Sequence, residues 1–541
     1  METNKTELLS PSIQDDRENP AEDEKVNENE GSDSEDTIQR DSKPKKLPKI
    51  IINTSKTRSE LTLIQHLVEK YKKFGWATCK GRNGNILWSG LEIPFEECSI
   101  ATEIRVNRIP GIRNIAEKKE TGFYLNKFRE YYPDDFDFFP RTFLYPEEAE
   151  QFEKHLQKYP KRLYIAKPTS GSHGDGITLV RSIKDLPISK YATNVKDMVI
   201  QEYIDRPLLI DGKKFDLRLY VLISSVKPMI AFLNEEGLAR FCTEDYQPPT
   251  KENLKNYYMH LTNYNLNKLS PNYKYTEEYI EINDGSKRTL TSLWKSVEKA
   301  GYSKETIMKQ IRDLVQKLLV SIQPIIQFNY NTAFEGKDNG KCFHVLGIDV
   351  LIDQDLKPWL IEINGNPSLN IEHELEQTMD KRKAPTIISP VDKFVKEKVM
   401  EDAILISRKK PEKQARIQKY GSYEIVYNSE DSAYKEKQLF KDILTIFGKL
   451  SGTRYKTHLV SGKFVKLASL PGMVSDKLCK ADYDILYKKI VQQSEDKQMS
   501  FATFIMAIET LATKLIDDLD PENKKDAVEA LVGRILSGFD S

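Results

Sequence analysis

The spacing of apolar and polar residues predicts alternating helical and strand-rich stretches along the chain. Apolar residues recur at near-helical spacing from Leu61 to Tyr71, which predicts an amphipathic helix that ends near Gly75. Between about residues 160 and 372, short β-branched and aromatic runs bounded by Gly, Pro or Asp predict strands. A helical pattern fits Ser303 to about Gln323 and is expected to stop at Pro324. Strands interrupted by helices in mixed order predict an α/β or α+β fold rather than a β-sandwich.

Changes in composition along the chain predict five segments. The first is rich in Glu, Asp, Asn and Ser and has almost no aromatic or β-branched residues, so it cannot bury enough apolar surface to fold. The expected segments are a disordered acidic tail over residues 1–48, a small α/β domain over 49–155, the main folded region over 156–405, a basic segment or linker over 406–432 and a helical extension over 433–541.

Overall charge and cysteine content exclude several classes of protein. The 541 residues include 82 Lys and Arg and 82 Asp and Glu, a balance that excludes a uniformly basic nucleic-acid-binding protein. The five cysteines form no C-x-x-C pair, which favours free thiols in a reducing compartment. No apolar run approaches the ~20 residues needed to span a bilayer, and the first residues lack the basic and apolar regions of a signal peptide. We therefore expect a cytoplasmic protein without a nucleic-acid or membrane partner.

Acidic side chains interrupt an apolar hairpin predicted over residues 344–370. Two strands flank a turn around Asp353–Lys357, and a symmetric hairpin would place Asp349 opposite Glu362. Period-two alternation then puts Asn364 on the same face as Glu362. Placing carboxylates in apolar strands costs free energy unless their charge is neutralised. The oxygen atoms of the two carboxylates and the amide would suit Mg²⁺ as ligands. The alternative is that the acids pair with Arg or Lys elsewhere in the chain.

A glycine-rich loop is predicted between two strands over residues 164–180. Gly171, Gly174 and Gly176 would let the backbone approach a phosphate group, and Lys167 could neutralise it. The spacing matches neither a Walker A loop nor a Rossmann fingerprint. An ordinary turn is the alternative.

Charged residues also alternate on one predicted strand. Lys214, Asp216 and Arg218 would point to one face, which is costly unless they face a ligand or neutralise each other. Arg240 and Lys287 could clamp a substrate that carries a carboxylate, since Arg binds carboxylates through two hydrogen bonds. Taken singly, both are more often ordinary surface residues.

Taken together and in order, these motifs resemble the ATP-grasp core of the tubulin–tyrosine ligase-like family. The resemblance runs through IAKPTSGSHGDGI, QEYIDRPLLIDGKKFDLRLYVL, EGLARFCTEDY, MHLTNYNLNK, DGSKRT and GIDVLIDQDLKPWLIEINGNPSL, and covers about residues 75–405. It implies an ATP-grasp fold, with the small N-terminal domain followed by central and C-terminal catalytic subdomains over residues 156–405. The region beyond about residue 433 resembles the helical extension of the chain-elongating polyglutamylases.

The resemblance implies an ATP- and Mg²⁺-dependent tubulin polyglutamylase, expected to lengthen glutamate chains and to be monomeric. In that family, a protein glutamate side chain is phosphorylated to an acyl phosphate, which the amine of free L-glutamate attacks. The implied partners are tubulin tails and microtubules, and the implied locations are the cytoskeleton and the cilium or basal body. An initiating glutamylase, a glycylase or tyrosine ligase, or a ligase acting on a non-tubulin acidic protein are alternatives. A catalytically silent microtubule-binding protein is a third possibility.

The resemblance also assigns roles to residues, motif by motif. The implied catalytic residues are Lys167, Lys214, Asp216, Arg218 and Glu362. Residues implied to contact the nucleotide are Lys167, His173, Gly174, Gln201, Glu202, Tyr203, Ile204, Lys214, Phe215, Asp216, Thr262 and Asn263, with Gln201–Ile204 at the adenine. Those implied to face the substrate are His173, Arg240, Tyr264, Asn265 and Lys287, and those implied to hold Mg²⁺ are Asp349, Glu362 and Asn364.

Two features bear on the acceptor. Residues 407–420 contain six Lys and Arg against the single acid Glu412, and related elongating enzymes carry a cationic microtubule-binding helix here, although Pro411 would break a continuous helix. The chain departs from the family pattern at His173, at Asn265 and at Gly365. The family pattern implies that positions 173 and 365 help to choose between starting a glutamate branch and lengthening one.

Overall fold

The protein is described from a computed structural model. The described residues are 40–41, 47–81, 84–91, 93, 104–169, 176–186, 197–276, 284–334, 340–374, 386–431, 437–452, 457–492, 497–516 and 523–540. Of the expected tail over residues 1–48, all but residues 40–41 and 47–48 lie outside them.

Helices and strands alternate through the described chain, so the expectation of a mixed α/β fold is confirmed. Helices α1 to α15 are Leu61–Tyr71, Ile112–Ala116, Lys118–Tyr131, Ala149–Lys158, Tyr257–His260, Tyr264–Asn267, Leu290–Lys299, Lys304–Phe334, Pro390–Ser407, Pro411–Gln414, Gln438–Ser451, Ser461–Phe464, Lys480–Val491, Phe501–Leu515 and Lys524–Asp540. Strands β1 to β20 are Arg40–Asp41, Ile51–Lys56, Ala77–Cys79, Ile86–Ser89, Arg105–Val106, Thr142–Tyr145, Tyr164–Pro168, Thr178–Val180, Met198–Glu202, Leu209–Ile210, Lys213–Val226, Met229–Asn234, Leu238–Phe241, Lys287–Thr289, His344–Ile352, Pro358–Asn364, Glu372–Glu374, Thr386–Ile388, Lys419–Tyr420 and Tyr423–Asn428.

A ten-stranded sheet is built around the long strand β11. β11 pairs antiparallel with β10, β12, β13 and β15, and β15 continues into the hairpin with β16. Most side chains of β11 and all of those of β15 are buried, as expected for strands covered on both faces. Chemistry-bearing residues on β11, β13, β15 and β16 are therefore held by neighbouring strands of one rigid sheet.

Two smaller four-stranded sheets accompany the large one. The N-terminal sheet has the order β3-β2-β4-β5, and its three pairings are parallel. The other has the order β6-β9-β7-β8, and its pairings are antiparallel. This second sheet carries Lys167 on β7 and Gln201 on β9, so it supplies one wall of the site described below.

Two sequence-based predictions for helices have different outcomes. The amphipathic helix from Leu61 is confirmed, and it runs on into a short 3-10 helix, Lys72–Phe74. Gly75 ends that 3-10 helix in the left-handed region at φ +80°, with its N–H donating to the Lys72 carbonyl at 2.9 Å. The expected stop at Pro324 is wrong, because α8 continues to Phe334 with the proline inside it. Apolar side chains on both sides of Pro324 are buried in the core, and that burial offsets the hydrogen bond that the proline removes.

The described chain beyond residue 436 is mainly helical. Helices α11 to α15 occupy it, and the loops that precede α12 and α14 are joined by two backbone hydrogen bonds between Leu459 and Met499, at 2.8 and 3.0 Å. Apolar side chains of these helices belong to the same buried cluster as those of β11 and β15. Within the described ranges, no helix is both long and apolar enough to cross a membrane.

Candidate active site

A cavity lies between the four-stranded sheet of β6 to β9 and the large sheet. Strands β7 and β9 line one side, and β11, β13, β15 and β16 line the other. It brings together twelve of the residues expected from the sequence: Lys167, Gln201, Glu202, Tyr203, Ile204, Lys214, Asp216, Arg240, Thr262, Asn263, Asp349 and Glu362. Residues far apart in the chain therefore converge on one space.

The hairpin of β15 and β16 has the register that the sequence predicts. Asp349 pairs with Glu362, and Gly347 pairs with Asn364. A bulge follows Asp349, so the two carboxylates are held where the strand pair is locally irregular. Both acids line the cavity.

The two carboxylates have different surroundings. Asp349, only 5% exposed, accepts hydrogen bonds from Arg218 Nη2 at 3.0 Å and Arg240 Nη2 at 2.7 Å. Burial alone would raise the pKa of Asp349, but the two guanidinium groups outweigh it and hold that pKa well below its usual range. The Glu362 carboxylate forms no hydrogen bond or ion pair with any described residue. Pairing with arginine therefore applies to Asp349 and not to Glu362.

The charged residues on β11 pair with residues of other segments and not with each other: Asp216 pairs with Arg240, and Arg218 pairs with Asp349. Lys214 and Asp216 both line the cavity, as their alternation predicts. Asp216 accepts hydrogen bonds from Arg240 Nε at 2.8 Å and from Thr262 Oγ1 at 2.7 Å. Arg240 therefore links Asp216 to Asp349.

Two buried lysines face the cavity, and among the described residues their side chains form hydrogen bonds only with neutral groups. Lys167 Nζ donates to Gln201 Oε1 at 2.7 Å, and Lys214 Nζ donates to the Tyr203 hydroxyl at 2.9 Å. That hydroxyl lies 3.1 Å from Nδ1 of His260. Burial lowers the pKa of both lysines to about 8. Neither ammonium group has a hydrogen bond to a carboxylate among the described residues, although the charges of Glu362 and Asp216 act on Lys167 and Lys214 respectively. Two such ammonium groups are suited to bind an anion such as a polyphosphate.

Residues 99–398 match the sequence model of the Tubulin-tyrosine ligase family. This chain belongs to the Tubulin-tyrosine ligase family.

Curated relatives in this family carry the name tubulin polyglutamylase. The ttll6 protein of Danio rerio is 36% identical over 300 residues, which are 55% of this chain and 37% of the relative. TTLL6 of Mus musculus is 32% identical over 385 residues, which are 70% of this chain and 43% of the relative. TTLL13 of Homo sapiens is 38% identical over 279 residues, which are 50% of this chain and 32% of the relative. The chain thus spans less than half the length of these relatives.

Of the residues implied to face the substrate, Arg240 lines the cavity, and Tyr264, Asn265 and Lys287 lie beside it. Arg240 on β13 is the direct cross-strand neighbour of Lys287 on β14. Lys287 Nζ lies 4.0 Å from the centre of the Tyr264 ring and 2.6 Å from Asp392 Oδ2. Asn265 follows Tyr264 in the short helix α6 and is half-buried. Tyr264 and Lys287 line a second, smaller cavity.

Three further described residues implied by the family resemblance, Phe215, Arg218 and Asn364, do not line the main cavity. Phe215 lies on the opposite face of β11, since side chains alternate along a strand, and packs against Phe241 in the core. Among the described residues, the Arg218 side chain is connected to the cavity through its hydrogen bond to Asp349. Asn364 lies two residues beyond Glu362 on β16, and its Nδ2 is buried without a hydrogen-bond partner in the described chain. His173 and Gly174 lie outside the described residues.

Sequence reasoning missed two residues that the structure places at the candidate site. Lys118, the first residue of α3, lines the cavity, and its local sequence carried no signal of that position. Asp392 pairs with Lys287 and Lys396. Its only sequence signal was its place three residues after Ser389, the pattern of a helix start, and Ser389 Oγ does accept from the Asp392 N–H at 3.2 Å.

The donors on β15 and β16 fit a magnesium ion that shares its coordination with phosphate. Among the described residues, no three His, Cys, Asp or Glu side chains come together as a metal cage. Mg²⁺ needs only one or two protein carboxylates when phosphates and water complete its octahedron. The unpaired Glu362 carboxylate supplies one, and Asn364 has a side chain whose polar atoms are not all satisfied. These residues fit the group that the family resemblance implies.

Proposed function

We propose that this protein is an ATP-dependent polyglutamylase that joins L-glutamate to glutamate side chains or branch chains of tubulin tails, and that its main activity is to lengthen existing branches. The observation that carries the proposal is the pair of buried lysines, Lys167 and Lys214, facing the same cavity as the unpaired carboxylate of Glu362. Two cationic groups and a metal-binding carboxylate are what phosphoryl transfer requires, because positioning and charge neutralisation supply most of its catalysis. The names of the relatives support tubulin as the acceptor.

The chain's own residues divide the work of this reaction. Lys167 and Lys214 would neutralise the phosphates of ATP, and the backbone of Gln201–Ile204 would contact the adenine. Glu362, Asn364 and Asp349 would hold Mg²⁺, which supplies charge stabilisation on the transferred phosphoryl group when bound.

Two bond exchanges complete the proposed chemistry. A carboxylate oxygen of the acceptor glutamate attacks the γ-phosphorus of ATP, and the bond from that phosphorus to the ADP oxygen breaks. The amine of L-glutamate then attacks the resulting acyl phosphate, the carbon–oxygen bond breaks, and phosphate leaves as the nitrogen gives up a proton.

A double positive charge supports glutamate as the added amino acid. Arg240 and Lys287 are cross-strand neighbours and could each take one carboxylate of L-glutamate. Glycine and tyrosine have a single carboxylate, so either Arg240 or Lys287 would have no carboxylate of the added amino acid to bind. In the structure both cations have acidic partners, Asp216, Asp349 and Asp392, which hold them in place before substrate arrives.

Exposed cations after the catalytic region support recognition of an acidic, Glu-rich tail. Arg408, Lys410, Lys413 and Arg416 are exposed on the segment between α9 and β19. Pro411 opens the short helix α10 at its first position rather than interrupting a longer helix. Such a surface would steer an anionic partner and hold it weakly through several contacts. We propose that it binds microtubules, that the protein acts as a monomer on the cytoskeleton, and that its sites include the cilium or basal body.

Mass spectrometry of modified tubulin tests the function and separates its variants. Microtubules with bare tails, and microtubules whose tails already carry one branch glutamate, would be incubated with the protein, Mg-ATP and a mixture of glutamate, glycine and tyrosine. We expect several glutamates to be added only to the pre-branched tails, which is the elongating activity. Addition to bare tails would make the protein an initiator, and addition of glycine or tyrosine would contradict the choice of glutamate. No addition to either acceptor would contradict tubulin as the substrate.

The charge of the two lysines predicts a pH dependence. Lysine is cationic below its pKa, so kcat/KM for ATP is expected to fall as the pH rises above about 8, where Lys167 and Lys214 lose their protons. Initial rates at low ATP across a pH series would measure this. The matched variant Lys214→Arg keeps its charge, so the fall in kcat/KM above about pH 8 should become shallower, because only Lys167 then loses a proton. If kcat/KM for ATP in the unsubstituted protein fell only near the ordinary lysine pKa of about 10.4, the phosphate-binding role of the two lysines would be contradicted.

A further inference from the structure

Helix α3, Lys118–Tyr131, extends from the active-site cavity to the C-terminal helices. Its first residue, Lys118, lines the cavity. Its last two turns pack against α11, α14 and α15, which lie more than 300 residues later in the chain. The helix therefore touches both the site and a region for which the proposed chemistry gives no role.

The first half of α3 packs tightly on strand β6. A Cβ built on Gly122 would lie 3.1 Å from Thr142 Cγ2 and 3.4 Å from Leu144 Cδ2, so the helix approaches the strand closely. Asn126 Nδ2 also donates to the Thr142 carbonyl oxygen. A shift of α3 would therefore displace Thr142.

Thr142 is connected to the phosphate-binding lysine by two hydrogen bonds. Gln201 Nε2 donates to Thr142 Oγ1 at 3.0 Å, and Lys167 Nζ donates to Gln201 Oε1 at 2.7 Å. Thr142 and Gln201 are 2% and 3% exposed, so water does not compete for these bonds. The position of Lys167 thus depends on Thr142, and that of Thr142 on α3.

Aromatic stacking attaches the second half of α3 to the C-terminal helices. The Phe128 ring stacks on Phe440 of α11 with centroids 4.0 Å apart and planes 8° apart. The Tyr124 ring stacks on Phe501, at the start of α14, at 6.2 Å and 26°. These contacts fix the side of the helix that faces away from β6.

A half-buried ion cluster fixes the end of α3 as well. Lys127 Nζ lies 2.7 Å from Glu509 Oε1 of α14 and 2.8 Å from Glu130, and the Tyr131 hydroxyl donates to the same oxygen of Glu509. Lys127 and Glu509 are 15% and 17% exposed. Burial alone would lower the pKa of Lys127, but Glu509 and Glu130 outweigh it and raise that pKa. The charge of Glu509 is therefore held between two groups of α3.

We propose that the C-terminal helices position the nucleotide-binding lysine, and that Glu509 is the positioning residue through which they hold α3. The order of contacts runs from Glu509 to α3, to Thr142, to Gln201 and to Lys167. The helical region then supports catalysis from a distance instead of acting as an independent appendage. This inference rests on the proposed function for its nucleotide, but its structural part concerns Lys167 alone.

The test uses the full chain with Glu509→Gln, which keeps the shape of the side chain and removes its charge. The readout is the rate at which an amine-reactive reagent labels Lys167 across a pH series, followed by mass spectrometry, well below the melting temperature. We expect the apparent pKa of Lys167 to move up from about 8 toward the ordinary lysine value, as water enters around a loosened Gln201. Affinity for Mg-ATP should weaken about 10-fold, the lower end of the range for residues that act through another group.

Asp540→Asn is the matched control, since it removes an ion pair with Lys449 that lies wholly within the C-terminal helices. It should leave Lys167 labelling unchanged. Tyr131→Phe, which removes one hydrogen bond to Glu509, gives a milder second variant if Glu509→Gln fails to fold. Labelling of Lys167 that is the same in the Glu509 or Tyr131 variant as in the control would overturn the inference. Failure of the unsubstituted protein to bind Mg-ATP would instead overturn the proposed function, because the labelling result stands without it.

Discussion

Replacing Glu362 with glutamine is expected to lower the rate of glutamate addition on the order of 100-fold, the scale typical of losing one preorganised electrostatic group. The carboxylate makes no hydrogen bond or ion pair with any described residue, and it acts on the buried Lys167 only through its charge, which raises the pKa of that lysine. We therefore expect the melting temperature to change little while activity is lost. Rates of labelled glutamate incorporation into microtubules at saturating Mg-ATP, and thermal unfolding of the same preparations, would measure the two effects.

Asp355→Asn is the control for this change, because Asp355 is an exposed acid in the turn of the same hairpin. It should leave both activity and stability unaffected. Microtubule binding should also survive in Glu362→Gln, since the cations proposed to bind the acidic tail lie elsewhere. Equal loss of microtubule binding and catalysis would show that Glu362 is structural, and the metal assignment would then be wrong.

Replacing Asp392 with asparagine is expected to lower the free energy of unfolding by roughly 3 kcal/mol, the scale for breaking a buried ion pair from one side. Asp392 is 5% exposed and lies 2.6 Å from Lys287 Nζ and 2.7 Å from Lys396 Nζ, so the change leaves two buried ammonium groups without their carboxylate. Urea-induced unfolding at neutral pH would measure the loss. Lys393→Gln is the control, because it removes a partly exposed, 4.0 Å pair with Glu397 from the same helix. A loss no larger than that of the control would contradict the role of Asp392.

The contribution of Asp392 should also depend on pH. Burial alone would raise the pKa of Asp392, but Lys287 and Lys396 outweigh it and hold that pKa well below its usual range. A carboxyl whose pKa is lowered by folding stabilises the protein fully above its unfolded pKa of about 3.9, and this contribution is lost as the pH falls through the folded-state value. The difference in stability between the parent and Asp392→Asn should therefore be largest above about pH 4 and shrink in more acidic solution.

Local patterns predicted the parts of the site that depend on strand geometry. The hairpin register of Asp349 and Glu362 followed from the turn between them, and the shared face of Lys214 and Asp216 followed from alternation. Both relations are fixed by a few consecutive residues, so the sequence contains all the information that they need.

Contacts between distant segments could not be predicted in the same way. Asp349 meets Arg218 and Arg240, which lie on other strands of the large sheet, and nothing near Asp349 in the chain indicates which cation it meets. Pro324 shows the same limit for a helix, because its local rule predicts a break and only the surrounding buried core explains why α8 continues. Tertiary packing decided both cases.

The stacking of Phe128 on Phe440 also has a consequence for folding during synthesis, because it cannot form until both α3 and α11 have been made. During synthesis, α3 leaves the ribosome long before α11. The Tyr124 and Phe128 side chains of α3 are therefore exposed to solvent until the C-terminal helices that cover them have been made. Contacts between residues this distant in sequence form late and slow the folding of a chain. We expect nascent chains to be vulnerable to aggregation until residues 438–540 have emerged. A chaperone that shields Tyr124 and Phe128 would protect the growing protein during this interval.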